Sequence, residues 1–556
     1  MSTAITTATA TRSGEGSRLR LLRWGAGGTA LLVLLPVAAL LWSAAQGSGD
    51  LWPHLIRNVL PRAMFETLVL ALGVGVLAGT IGTGTAWLVA TCRFPGRGLF
   101  EWALLLPLAI PTYIQAFVYV DAVHPLGPIP TALRALLGLA RPRDLWLPEV
   151  RSLPGCIVLL GLVLYPYVYL TARAAFLVQG SSVLEASRML GAGATETFLR
   201  IALPLARPAI AVGVTLVLME TVNDVGASEF LGVQTLTLSI YSTWLNRSSL
   251  PGAAQIALFM LAVMFGFVLL ERWGRRHLNV VNGARARPPV RRILAPGAAC
   301  VSFLACLLPV VLGFLMPAGH LLHMAWQRLL FHGVPATILQ EAANTALFAA
   351  IGTALALGLG LMVAVAGRTG ALASGLVPRL ASLGYAIPGT VLAVGLLVPL
   401  AGFDNLVSAF SAQVFGHTTG LLLSGSGAAL IIAYVIRFLA IPVGGLEAGY
   451  GKIGTTMDMA ARSLGERPGG VVRRIHLPLL RPALGTAALL VFVDCMKELP
   501  ATLMLRPLNF ETLASHVYGE AARGTYEDGA LAALLIVLVG LVPVILLARL
   551  SRPREG

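Results

Sequence analysis

Four acids stand in segments that otherwise suit an oily interior. Glu220 and Asp224 lie in "METVNDVGASEF", Asp494 and Glu498 in "DCMKELPATLML". Within each pair the carboxyls are four residues apart, which on a helix puts both on one face. Charge inside a membrane span is costly and usually faces a cavity or a partner. Paired carboxyls there supply hard oxygen donors, the type preferred by small, highly charged cations. The chemistry to expect is an acidic lining that eases a cation along a path. No tightly bound metal is expected, because a path must release what it passes. A plainer reading stays open: Lys497 and Arg506 neutralise these acids, or the acids sit in water at an outer mouth. Arg437, in another apolar segment, either pairs with an acid such as Glu498 or snorkels to the surface. Tyr165, Tyr167 and Tyr169 surround Pro166, and a proline-kinked helix with aromatic packing fits them better than metal ligation. The histidines are dispersed, with no HExxH pattern, and His320 and His323 read as part of a wet outer loop.

The elements that must position these residues are membrane helices. Of the 556 residues, 57% are hydrophobic and 12% charged, against about 25% charged in a soluble domain. This makes the chain an all-α polytopic membrane protein. Twelve spans of about 20 apolar residues are expected, near 24–46, 65–90, 100–121, 155–178, 208–230, 252–271, 296–317, 342–366, 380–402, 427–447, 482–504 and 529–549. The fifth and eleventh are the least clean, since they hold the acids. The net charge of +15 reads as topology and not as nucleic-acid binding. With both termini cytoplasmic, 27 Lys/Arg fall in or beside inside segments and 11 in or beside outside ones. The basic stretch before the first span resembles a signal peptide, but the apolar run is too long and no clear cleavage site follows, so a retained helix is expected. Cys92, Cys156, Cys300, Cys306 and Cys495 lack metal-ligand spacing and read as small apolar residues.

The expected organisation is a cytoplasmic tail (1–23), a first six-helix half (24–271), a basic cytoplasmic linker (272–293), a second half (294–550) and a short cytoplasmic tail (551–556). The halves repeat. Residues 185–208, "EASRMLGAGATETFLRIALPLARP", and 459–482, "MAARSLGERPGGVVRRIHLPLLRP", are identical at 11 of 24 positions. Asp224 falls opposite Glu498 at the same offset, and "AIP" recurs at Ala109–Pro111 and Ala386–Pro388. An even number of spans per half makes the halves parallel, related by an axis along the membrane normal, with a path between them. Each polar loop, about 180–207 and about 450–481, reads as two short helices broken at a glycine, Gly191 or Gly465. Pro204 and Pro208 would end the first loop and restart a membrane helix. Such an amphipathic segment lies on the membrane surface or fills a partner's groove.

These loops resemble the EAA loop of bacterial ABC importer permeases, with the fold of a type I importer permease. The resemblance implies that Glu185, Ala186, Arg188, Gly191, Leu203 and Pro204 in the first loop dock on a cytoplasmic ABC ATPase dimer. Asp458, Ala460, Arg462, Gly465, Leu477 and Pro478 would do so in the second. Two grooves on an ATPase dimer explain two loops. The second copy departs from the pattern, with Met459 in place of the glutamate and Asp458 beside it. No GxxxxGK[ST] stretch occurs, so the chain is expected to be no enzyme and to bind no cofactor, with ATP used by the partner. The segments 219–241 and 494–514, with the fused twelve-span layout, resemble ferric iron importer permeases. Fused permeases of the thiamine type share that layout and are the alternative. The implied partners are the ATPase, a periplasmic substrate-binding protein and membrane lipid. The implied place is a bacterial inner membrane, crossed many times. Two other classes compete: a twelve-span secondary transporter, and a membrane scaffold or assembly protein. Neither needs a duplicated loop matched to two cytoplasmic grooves.

Overall fold

A computed structural model describes residues 2–178, 187, 189, 191–275, 291–369 and 375–550. Among them, 11 helices are long and apolar enough to cross a membrane. A twelfth crossing exists if Arg97–Ala109 and Thr112–Ala122, bent by 90°, form one broken span. The break has a local cause. Ile110 and Pro111 are extended (ψ 116° and 145°), as the residue before a proline prefers. The repeated "AIP" does the same at Ile387 and Pro388 (ψ 119° and 146°). The ninth span therefore starts later than the apolar run implied, at Gly389, and continues to Phe415. The seventh is longer than expected: Pro296–His332 is helical throughout, so His320 sits on that helix and not in a loop. It bonds Asp121 at 2.7 Å.

The chain divides into two compact units that do not follow the two sequence halves. One combines Met1–Ser48 and Ser248–Leu258 with Leu339–Thr512, and the other joins Gly49–Arg247, Phe259–Ile338 and Leu513–Gly556. In the first unit, the opening helix lays Ala26, Ala30, Val33 and Leu40, all buried, toward its neighbours. It packs on Gly389–Phe415 and Leu376–Ala381. The second unit is built around Leu60–Thr91 packed along Leu153–Val178. Gly82 makes that approach possible, since a Cβ there would lie 2.7 Å from the Tyr165 carbonyl oxygen and the Val168 Cβ. Tyr165 and Tyr169 are fully buried in this contact, and the Tyr169 hydroxyl donates to the Glu101 carbonyl at 3.1 Å.

Four π turns share one sequence feature. Leu55–Val59, Thr197–Ala202, Val311–Leu315 and Val472–His476 are each followed two residues later by a proline: Pro61, Pro204, Pro317 and Pro478. A proline ring clashes with the carbonyl four residues back and cannot bond it, and the wider turn removes the clash. At Pro317 the bypassed carbonyl is that of Gly313, which accepts from Gln115 Nε2 at 3.0 Å. The Leu312 carbonyl accepts from the Tyr119 hydroxyl at 2.6 Å. In an oily medium such carbonyls need internal partners.

Candidate functional site

The second polar loop is described along its whole backbone. Its helix, Thr455–Ser463, carries Ala461 buried and Met457, Met459, Ala460 and Arg462 exposed. It ends in a glycine cap. Gly465 has φ +85°, its N–H donates to Arg462 O (3.0 Å), and the Glu466 N–H donates to Ala461 O (3.0 Å). This pair of bonds is a Schellman motif, which closes the last turn. In the first loop Glu185, Ala186 and Arg188 lie outside the described residues. Gly191 has φ +84°, and the Ala192 N–H donates to Ser187 O at 3.0 Å, the same cap 274 positions earlier. The buried residues correspond too: Ser187 with Ala461, Thr197 with Val471, Ala202 with His476.

Beyond the glycine each loop runs as helix into the next span, from Ala194 to Asn223 and from Pro468 to Met496. The prolines therefore do not restart a helix, contrary to the sequence expectation. Pro204 and Pro478 follow π turns inside a continuous one. Leu203 and Pro204 are half-buried, as is Leu477, while Pro478 is exposed.

Asp458 faces inward. Its Oδ2 accepts from Arg368 Nε at 2.9 Å and its Oδ1 lies 2.8 Å from His476 Nε2. Arg368 also donates from Nη2 to Ile453 O at 2.9 Å. Burial pushes the Asp458 carboxyl up, but the bonds from His476 and Arg368 outweigh it and hold it below the usual carboxylate range. Met459, at the position of the first loop's Glu185, is 60% exposed.

The intramembrane acids mark helix breaks. The Leu203–Asn223 helix stops before Asp224, whose Oδ1 accepts the Ala227 N–H at 2.7 Å and so caps the short Gly226–Phe230 helix. The Leu477–Met496 helix stops just before Glu498. Its Oε1 accepts the Ala501 N–H and its Oε2 the Thr502 N–H, both at 3.0 Å, capping Pro500–Leu505. The hydroxyls of Ser228 and Thr502 donate back to the Asp224 and Glu498 carbonyls at 3.2 and 2.8 Å. Both acids are buried, and Arg437 Nη1 lies 3.9 Å from Glu498 Oε1. Asp494 pairs with Lys497 at 3.0 Å, and Arg506 pairs with Glu511. Glu220 is half-buried. The capping role was missed from sequence, although Asp–x–x–Ala and Glu–x–x–Ala at equivalent positions were its signal. Among the described residues no group of three or more His, Cys, Asp or Glu is placed to hold a metal. No disulfide joins the five cysteines among the described residues.

This is the architecture of an importer permease: an all-helical, many-span chain with two glycine-capped loops in register. Residues 80–279, which contain the first loop, match the family described as "Binding-protein-dependent transport system inner membrane component". The chain carries a domain of that family and, at 556 residues, is long enough for two fused permease domains. Over 501 residues it is 25% identical to the Fe(3+)-transport system permease protein FbpB 2 of Haemophilus influenzae, covering 89% of this chain and 91% of the relative. Over 560 residues it is 26% identical to the probable ABC transporter permease protein y4fN of Sinorhizobium fredii, covering 94% of each. The sulfate transport system permease protein CysT of Escherichia coli is 27% identical over 263 residues, 44% of this chain and 90% of the relative.

Proposed function

We propose that this permease carries ferric iron inward across a bacterial inner membrane by alternating access, driven by a separate ATPase and supplied by a periplasmic binding protein. The observation that carries the substrate is length of match. The Fe(3+) permease aligns over nearly the whole of both chains, whereas the sulfate relative aligns with less than half of this one. The glycine-capped loops are the docking elements for the ATPase, and both termini lie on the ATPase side. The chain is the passage and not the enzyme. Asp224 and Glu498 shape the helix breaks, since their carboxylates are engaged by backbone N–H groups. Glu220 and Asp494, both half-buried, are the acids proposed to line the path, with Asp494 paired to Lys497.

The test is uptake in cells with and without this chain, comparing labelled ferric iron with labelled thiamine, sulfate and molybdate under limitation for each. Loss of iron uptake alone is the expected result. Loss of another substrate's uptake with iron unchanged overturns the iron assignment and leaves the permease class in place.

A further inference from the structure

The two loops differ in where they keep their acid. At the offset of 274 that aligns them, Asp458 stands opposite Leu184, Met459 opposite Glu185, and His476 opposite Ala202. The second loop thus lacks the glutamate, gains an acid one position earlier, and gains a histidine where the first loop has a methyl group. The structure joins these changes. The Asp458 carboxylate is only 17% exposed and is held between Arg368, the last residue of the Ile338–Arg368 helix, and His476, the last residue of a π turn. The cluster continues inward. His476 Nδ1 lies 3.3 Å from the Tyr450 hydroxyl, and the two rings meet edge to face at 5.0 Å. With Nε2–H donating to Asp458, Nδ1 accepts from the Tyr450 hydroxyl, so one tautomer makes both bonds. The Arg368 guanidinium lies 5.8 Å from the centre of the Tyr450 ring. Beneath it Tyr450 joins a buried cluster with Ala364, Val365, Leu446, Ile453 and Leu480.

We propose that Asp458 is a positioning residue: through Arg368 and His476 it latches the second loop's helix to two membrane helices, and it does not itself dock on the ATPase. This rests on the coupling-loop reading above for its consequence in transport, but not for the latch. Two helices far apart in sequence, one at its last residue Arg368 and the other at His476 in its π turn, are tied to one carboxylate, so a push on Thr455–Ser463 reaches both. The face left to the partner carries Met457 and Met459 without an acid, so the two docking sites of one chain differ in chemistry.

The experiment uses the full chain in lipid nanodiscs and follows amide hydrogen exchange over residues 455–463 by mass spectrometry. Asp458→Asn, His476→Ala and the double variant are compared with the parent, with Asp458→Glu as the conservative rescue. Losing a charge-assisted hydrogen bond in a half-buried site should speed exchange about tenfold. The double variant should be no faster than the quicker single, because the residues act through one latch. Asp458→Glu should restore protection in part, and Met459→Gln should leave it unchanged. His476→Gln stands in if His476→Ala fails to insert. Unchanged exchange in both singles, or additive effects, overturns the latch. Iron uptake in cells separates the two readings. Faster exchange with normal uptake keeps the latch and refutes the coupling role of the loop. Normal exchange with lost uptake overturns the latch and makes Asp458 a docking group.

Discussion

Replacing Gly465 by alanine tests the loop assignment at one atom. With φ +85° the glycine sits in the left-handed region, and no heavy atom lies within 4 Å of where a Cβ would be. The cost of Gly465→Ala is therefore backbone strain and not a clash. For an L-residue that strain is about 1–2 kcal/mol, a factor of about 5–30 in the population of the closed cap. Gly191, with φ +84° and equally open space, should respond alike. Open space also fixes the order of variants. Leucine should cost about as much as alanine, and asparagine less, since it tolerates this region. The assay is hydrogen exchange of peptides spanning 460–467 and 187–193 in the permease alone, followed by iron uptake in cells. The parent protects the Gly465, Glu466 and Ala192 amides through the bonds to Arg462, Ala461 and Ser187. If alanine leaves that protection intact, or leucine is far worse than alanine, the strain argument fails. If protection falls in both variants while uptake stays normal, the loops are not the coupling elements.

Three further outcomes follow from the breaks and π turns. Asp224→Ala should cost about 1 kcal/mol as a lost helix cap, read as a lower unfolding midpoint in detergent. Glu498→Ala should cost several kcal/mol, since it also leaves buried Arg437 without this acid; equal losses would refute the pairing. Pro478→Ala should let the Val472–His476 turn tighten, because residue 478 regains an N–H. Dropping one residue from the wide turn rotates the loop by about 100° against its span, so uptake should fall while insertion stays normal. Unchanged uptake would show that the proline does not set the loop's direction.

Much of the fold was legible because apolar runs of about 20 residues have few other uses. The glycine caps were legible because glycine takes positive φ without strain, and the two copies agreed. Arg437 was open from sequence between pairing and snorkelling, and the structure sets it beside Glu498. What stayed hidden depends on contacts distant in the chain. Periodicity shows that the opening helix is apolar, but not that it packs in the unit holding Leu339–Thr512. The prolines after the loops signal a helix boundary by local rules, and the π turns that absorb them leave no separate mark. The partner of Asp458 was unreadable for the same reason: Arg368 is 90 positions away, beyond the reach of any spacing rule.

The Asp458 latch also makes a statement about pH, with a definite sign. Its carboxyl is held below the ordinary range in the folded chain. A depressed acid contributes stability that is fully present above its unfolded value, about 3.9, and that is lost as pH falls through the folded value. Across pH 5 to 8 Asp458 therefore stays ionised and the Arg368 bond persists. With His476 replaced by glutamine, so that no other titratable group of the latch responds, exchange over 455–463, corrected for the intrinsic pH dependence of amide exchange, should be flat in that interval and rise only as pH falls below the unfolded carboxylate value, about 3.9. In Asp458→Asn the acid limb should vanish while the faster exchange remains at every pH. With His476 replaced by glutamine, a step between pH 5 and 8 would mean that a group outside the latch controls the helix, and the ion pair with Arg368 would not be what holds it.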